Sequence, residues 1–238
     1  MLKLLVVLPA FNEEEHIEEV IRGIPKRIEG ISAIDVVVID DGSKDNTVNV
    51  SAAAGVPVIQ NPRHLGLGVT FERGLRYAIE NNFDVMVNID ADGQFDPADI
   101  PTLVGPILNN KADFVTASRF IDKNYHPQMP WVRFIGNRLM SYLASRLTGR
   151  KFYDVSCGFR AYSRAAMLSL DLHGEFTYTH ESFLNLVFKK LRVLEIPLKV
   201  KYFNHRRSKV ASNLLTYGLN TARIYLKTYM NYKKLNSR

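Results

Sequence analysis

Five short apolar runs rich in β-branched residues, each ending at polar punctuation, constrain this chain more than any other feature. They are Leu2–Leu8, Asp35–Ile39, Val56–Ile59, Val85–Ile89 and Phe114–Ala117. Apolar residues that follow one another, instead of alternating with polar ones, mark strands covered on both faces, as in a parallel sheet. Helical stretches lie between them. Glu13–Ile24 opens acidic, which suits the positive end of a helix dipole, Lys44–Ala54 follows a turn, and Leu65–Asn82 carries an apolar face. Strand and helix alternate through the first 120 residues, so the expected fold is α/β, a Rossmann-like, mostly parallel sheet with helices on both faces.

In such sheets ligands gather beyond the carboxyl ends of the strands. The polar clusters fall at those ends: Pro9-Ala10-Phe11-Asn12-Glu13, Asp40-Asp41-Gly42-Ser43 and Asp90-Ala91-Asp92-Gly93-Gln94. Three loops are expected to meet in one crevice. In the third, Asp90 and Asp92 have the spacing that aims two carboxylates at one point, and Gln94 adds a neutral oxygen. Hard oxygen donors favour Mg2+ or Mn2+ over zinc. An isolated Asp-x-Asp is more often a solvated turn. Neither Asp40–Thr47 nor Asp90–Asp99 has the order or closing Glu of an EF-hand, and Gly66-Leu67-Gly68 lacks the third glycine of a dinucleotide fingerprint, which leaves it a turn or packing role.

After residue 120 the pattern changes to an amphipathic stretch Trp131–Leu147, a loop Lys151–Arg160, a helix Thr179–Lys190 and a strand-like Val193–Val200. No repeat or linker intervenes. With 238 residues and 46% hydrophobic content, one large domain with an appended tail is the simplest organisation. The net charge of +7 is uneven, since residues 201–238 hold nine Lys/Arg and no Asp or Glu. A near-neutral body with a basic tail points to a local anionic partner such as phosphate, lipid headgroup or nucleic acid. The single cysteine, Cys157, excludes an internal disulfide. No secretory leader and no run of about twenty apolar residues is evident, so the expected location is cytoplasmic, with any membrane met from the side.

Taken together, Val7-Leu8-Pro9-Ala10-Phe11-Asn12-Glu13-Glu14, Val38-Ile39-Asp40-Asp41-Gly42-Ser43, Leu65-Gly66-Leu67-Gly68 and Asp90-Ala91-Asp92-Gly93-Gln94 resemble, in order and spacing, the family 2 glycosyltransferases of GT-A fold. Within that family the dolichyl- or polyprenyl-phosphate sugar synthase branch is most similar. The likeness spans about residues 1–210, the expected catalytic domain, and leaves 211–238 as a basic amphipathic C-terminal helix. It implies that Pro9, Phe11, Glu13, Ile39 and Asp41 surround the donor's base and ribose, with Asp41 accepting a base N–H. A cap on the helix near Lys44 is the structural alternative for Asp41, and the two roles can coexist. It also implies that Ala91, Asp92 and Gln94 face the diphosphate and a Mg2+ or Mn2+ ion, with Asp90 supporting.

On the acceptor side the branch is similar at Ser118-Arg119-Phe120 and at Arg133 with Asn137, where the resemblance implies that Arg119 and Arg133 clamp a lipid phosphate. Asp154-Val155-Ser156-Cys157-Gly158-Phe159-Arg160 resembles the family's Asp-x-x-Ser-Gly-Phe-Arg segment. Asp154 is a candidate base should the acceptor be a hydroxyl, with loop ordering through Arg160 as its alternative. Glu181 is a second candidate, otherwise an exposed helical acid. Asn204–Lys209 resembles a loop that closes over the donor diphosphate, with Arg206 or Arg207, and Lys209, as its cations. The expected partners are a UDP- or GDP-sugar, a polyprenyl phosphate and a membrane surface held peripherally at the cytoplasmic face, with room for a membrane-protein partner. Transfer to a saccharide hydroxyl is the alternative activity. A nucleic-acid module lacks any recognisable motif here.

Overall fold

The computed structural model describes residues 2–172, 178–201, 221, 223–230 and 232, so Arg206, Arg207 and Lys209 lie outside the described residues. The elements run β1 (Leu2–Ala10), α1 (Ile17–Gly23), β2 (Ile31–Asp40), α2 (Thr47–Ala53), β3 (Val58–Gln60), α3 (Leu67–Glu80), β4 (Val85–Asn88), α4 (Ile100–Leu108), β5 (Phe114–Ser118), α5 (Trp131–Thr148), β6 (Arg160–Ser163), α6 (Arg164–Ser169), α7 (Thr179–Phe188) and β7 (Val193–Pro197). Residues 223–230 are also helical.

One sheet unites all seven strands in the order β3-β2-β1-β4-β6-β5-β7. Every pairing is parallel except those of β6, which runs antiparallel to both β4 and β5. Successive side chains of a strand point to opposite faces. Accordingly Leu4, Val6 and Leu8 of β1 enter one core with Ile17 and Val20 of α1 and Leu103 and Val104 of α4. Leu5 and Val7 enter the other, with Phe71 and Leu75 of α3 and Phe183 and Leu184 of α7. Two apolar layers explain why the β1 sequence shows no alternation. At about 1.5–3 kcal/mol for each fully buried Leu or Val side chain, this strand is a main anchor of the fold.

The boundaries shift where loop hydrogen bonds compete with the helix. α1 starts at Ile17, not Glu13, because residues 12–14 are tied to the neighbouring loop: Thr47 Oγ1 accepts from Glu13 N at 2.8 Å and the Glu14 carboxylate accepts from Asn46 N at 2.8 Å. α2 starts at Thr47, whose N–H donates to Asp45 Oδ1. Three elements escape the apolar periodicity. α4 contains Pro101 and Pro106, which read as breakers, yet Pro101 occupies the first turn where no N–H is needed. β6 and α6 are only four and six residues long, and β6 opens on a buried arginine. Among the described residues no helix is long and apolar enough to cross a membrane.

Candidate active site

The loops that follow β1, β2 and β4 converge as expected, held by bonds between loops. Asn12 N donates to Ser43 Oγ at 2.9 Å, and Lys44 N donates to Asn12 Oδ1 at 2.8 Å. Ala91 N approaches Pro9 O at 3.4 Å. Pro9, Ile39 and Ala91 are buried, so their side chains support the crevice from beneath instead of lining it. Phe11, Asp92 and Gln94 keep partial exposure there.

Asp41 and its neighbour Asp40 divide two jobs. The capping alternative for Asp41 is overturned: it is Asp40 that turns the loop, its Oδ2 accepting from Gly42 N and Ser43 N, each at 3.1 Å. Gly42 has φ +76°, and a Cβ there would stand 2.6 Å from the Arg63 carbonyl carbon, so only glycine fits. Asp41 instead gathers the 61–66 segment. Its Oδ1 accepts from Asn61 Nδ2 at 2.7 Å and Leu65 N at 2.9 Å, and its Oδ2 from Gly66 N at 2.9 Å and His64 Nδ1 at 2.7 Å. His64 in turn stacks on Phe11, with ring centroids 4.2 Å apart. The turn role of Gly66 therefore serves the same crevice.

The acidic loop behaves as an electrostatic unit. Asp92 Oδ1 accepts from Gln94 N at 3.0 Å, which folds the loop into a turn. Asp90 has its carboxyl pushed up to about 7, first by desolvation and then by the negative charges of Asp92 and Glu13, against the pull of Arg160 and Arg119. Crowded carboxylates of this kind are short of positive charge. Among the described residues no three His, Cys, Asp or Glu side chains form a closed metal cluster. Two carboxylates with the remaining coordination left to a ligand's oxygens suit Mg2+ or Mn2+. Gly158 abuts Asp90 directly, since a Cβ on it would lie 2.8 Å from Asp90 Oδ2. Asn88 Nδ2 and Tyr178 Oη both donate to Gly158 O, at 3.1 and 3.2 Å, and fix that contact.

On the other side Asp154 is fully buried and paired with Arg119, whose Nε donates to Oδ2 at 2.6 Å and Nη2 to Oδ1 at 2.8 Å. Burial alone would raise the Asp154 carboxyl, but the Arg119 charge and hydrogen bonds hold it below the usual carboxylate range. Two expectations change. The Asp154 carboxylate is held by Arg119 while Arg160 orders the same loop through Val155 O, and a buried, ion-paired carboxylate is ill-suited to act as a base. The Nε/Nη2 edge of Arg119 is engaged by Asp154 and so does not serve as a fork for phosphate. Arg160 is buried elsewhere, its Nη1 donating to Thr179 O and Ser182 Oγ and its Nη2 to Val155 O. Glu181 is also buried, which removes its alternative as an exposed helical acid.

Arg133 and Asn137 lie on the partly buried side of α5. Ser156 Oγ donates to Asn137 Oδ1 at 3.1 Å and receives Arg119 Nη2 at 2.8 Å, linking α5 to the ion pair. Sequence reasoning missed Glu195, His64 and the role of Ser156. Glu195 receives Tyr153 N at 2.9 Å and Asp154 N at 2.7 Å, pinning the loop that carries Asp154. No local signal marks it, because Val193–Val200 reads only as a strand.

This sheet and its acidic crevice are those of a GT-A glycosyltransferase. The family described as Glycosyl transferase family 2 matches residues 5–170, and the chain belongs to it. An uncharacterized protein of Methanocaldococcus jannaschii is 33% identical over 217 residues, covering 90% of this chain and 87% of its own length. The UDP-N-acetylglucosamine–dolichyl-phosphate N-acetylglucosaminyltransferase of Methanococcus voltae is 30% identical, with 83% of this chain and 85% of that protein covered. In fold the chain is similar to glucosyl-3-phosphoglycerate synthase from Mycobacterium tuberculosis, crystallised with Mn2+, UDP-glucose and phosphoglyceric acid. That likeness has a TM-score of 0.71 at 24% identity and covers 97% of this chain and 79% of that one.

Proposed function

We propose that this glycosyltransferase moves a hexose from a UDP- or GDP-sugar to a polyprenyl phosphate, with inversion at the anomeric carbon. The observation that carries the reading is the charge arrangement: a cation-deficient floor of Asp90, Asp92 and Glu13 next to an acceptor wall whose first candidate base, Asp154, is locked in a buried ion pair with Arg119. Asp90 and Asp92, with Gln94 beside them, would hold Mg2+ or Mn2+, which when bound supplies charge to neutralise the departing diphosphate. Phe11 and Asp41 would meet the base. Arg133 has no hydrogen-bonding or ionic partner for its guanidinium among the described residues and would receive the acceptor's phosphate.

A phosphate acceptor suits a wall whose Asp154 is tied up in an ion pair. A phosphate monoester has its second pKa at about 6 and is largely dianionic near neutral pH, so it attacks without giving up a proton. Positioning then supplies much of the acceleration. The Methanococcus relative is named for a dolichyl-phosphate acceptor, which supports the same class.

α5 fits a lipid substrate. Its inner side carries Arg133 and Asn137, whereas Trp131, Ile135, Leu139 and Tyr142 stand exposed at helical spacing with Arg138 and Arg146 among them, Trp131 at 72%. Such a face lies well in a bilayer interface, with rings at headgroup depth and cations toward anionic lipid. Leu226 and Met230 of the 223–230 helix are exposed as well. This reading gives a peripheral protein at the cytoplasmic face, with the 211–238 tail as its basic contact.

The test is incubation with a panel of radiolabelled UDP- and GDP-sugars, membranes and Mn2+, followed by solvent extraction. Labelled lipid that disappears in Arg133→Ala is expected. Label appearing only in water-soluble glycans would transfer the assignment to a saccharide hydroxyl.

A further inference from the structure

A carboxylate offers about four lone-pair sites, and those of Asp41 are all taken: by Asn61 Nδ2, Leu65 N, Gly66 N and His64 Nδ1. The first belongs to a buried side chain that also bonds Arg73, and the next two are backbone groups of the 65–66 turn. His64 differs from all three, because its side chain is 58% exposed and only its own rotamers hold it. The acceptor is a carboxylate, so Nδ1 carries the proton of this bond. The imidazole also covers one face of Phe11, with centroids 4.2 Å apart and planes 24° from parallel.

A flat ring stacked on Phe11 that gives a ring N–H to Asp41 is the arrangement a nucleobase would adopt there. We infer that His64 stands in the nucleobase subsite and is displaced by the donor's base, which takes over both its stacking on Phe11 and its N–H bond to Asp41 Oδ2. His64 is thus an affinity-setting residue for the donor, because each nucleotide must first break an internal contact of the same kind. This rests on the donor pocket of the proposed function, in which Phe11 and Asp41 meet the base.

The experiment is calorimetric titration of UDP and GDP, with Mn2+, into wild type, His64→Ala and His64→Gln, together with the His64 imidazole proton resonances. Losing the competing bond to a charged acceptor should tighten His64→Ala by about ten-fold for the nucleotide that binds wild type. His64→Gln keeps a donor without the aromatic ring and should fall between. In wild type, nucleotide should move the His64 resonances to those of a solvated, mobile histidine. Unchanged or weaker binding by His64→Ala would make the ring a bystander or a platform and overturn the inference while leaving the donor pocket intact. A wild type that binds neither nucleotide overturns the donor reading, and the inference with it.

Discussion

Arg119 and Asp154 are joined as two parallel hydrogen bonds, Nε to Oδ2 at 2.6 Å and Nη2 to Oδ1 at 2.8 Å, with Asp154 fully buried and Arg119 largely so. Arg119 leaves the end of β5 and Asp154 sits in the loop before β6, so the pair closes the acceptor wall across two segments. Removing one partner of a buried pair strands the other charge and costs about 3–5 kcal/mol. Asp154→Ala and Arg119→Ala should each lose stability on that scale. In a double-mutant cycle by urea unfolding, the double variant should lose much less than the sum. Strict additivity would show that the pair is not a stabilising unit.

Gly158→Ala should leave the fold largely intact and cut sugar transfer at least about ten-fold. Its Cβ would lie 2.8 Å from Asp90 Oδ2, and Asn88 and Tyr178 prevent the backbone from backing away, so the carboxylate must move. A displaced first carboxylate weakens a shared cation site more than it weakens the core. Circular dichroism with a steady-state transfer assay separates the two effects. Transfer at the wild-type rate would mean that Asp90 can shift without consequence.

The same contacts mark how far the sequence can be read. The first five strands are legible as short apolar runs, most clearly in β1, β4 and β5, which are buried on both faces. The acidic loops are legible because they sit at strand ends. What stays hidden is pairing at a distance: Arg119 is 35 residues from Asp154, and Glu195 is 41 residues from the N–H it receives. From the sequence Asp154 therefore reads as a candidate base or a residue ordered through Arg160, with no sign of Arg119, and Glu181 as a candidate base or an exposed helical acid. Short antiparallel β6 is hidden for another reason, since its four residues begin with an arginine whose buried bonds come from α7 and the preceding loop.

Cation dependence should be visible without catalysis. Asp90 is raised to about 7 by desolvation, Asp92 and Glu13, so a divalent ion that neutralises this cluster stabilises the folded chain. With UDP or GDP present, Mn2+ should raise the melting temperature by several degrees, a gain of about 2–3 kcal/mol at a hundred-fold excess over its dissociation constant. Chelator should reverse the shift and Asp92→Asn should lack it. An equal shift in Asp92→Asn would move the ion elsewhere and take the proposed role of that loop with it.

Glu195 supplies a pH dependence of defined sign. Desolvation drives its carboxyl up to about 7 from an ordinary 4.5, outweighing the hydrogen bonds from Tyr153 and Asp154 that pull it down, while the Asp154 charge adds to the rise. The folded chain thus holds this proton more tightly than the unfolded one. Its contribution to stability is complete below about pH 4.5, declines as pH rises, and is lost above about pH 7. An amide at this position cannot titrate, so the Glu195→Gln variant should lose less stability than wild type between pH 5 and pH 8, by on the order of 2 kcal/mol. Thermal or urea unfolding of both proteins at the two pH values, with chelator present, measures that difference directly. Parallel losses in the two proteins would mean that Glu195 is ionised throughout, and that the Tyr153 and Asp154 N–H groups suffice to keep its charge in place.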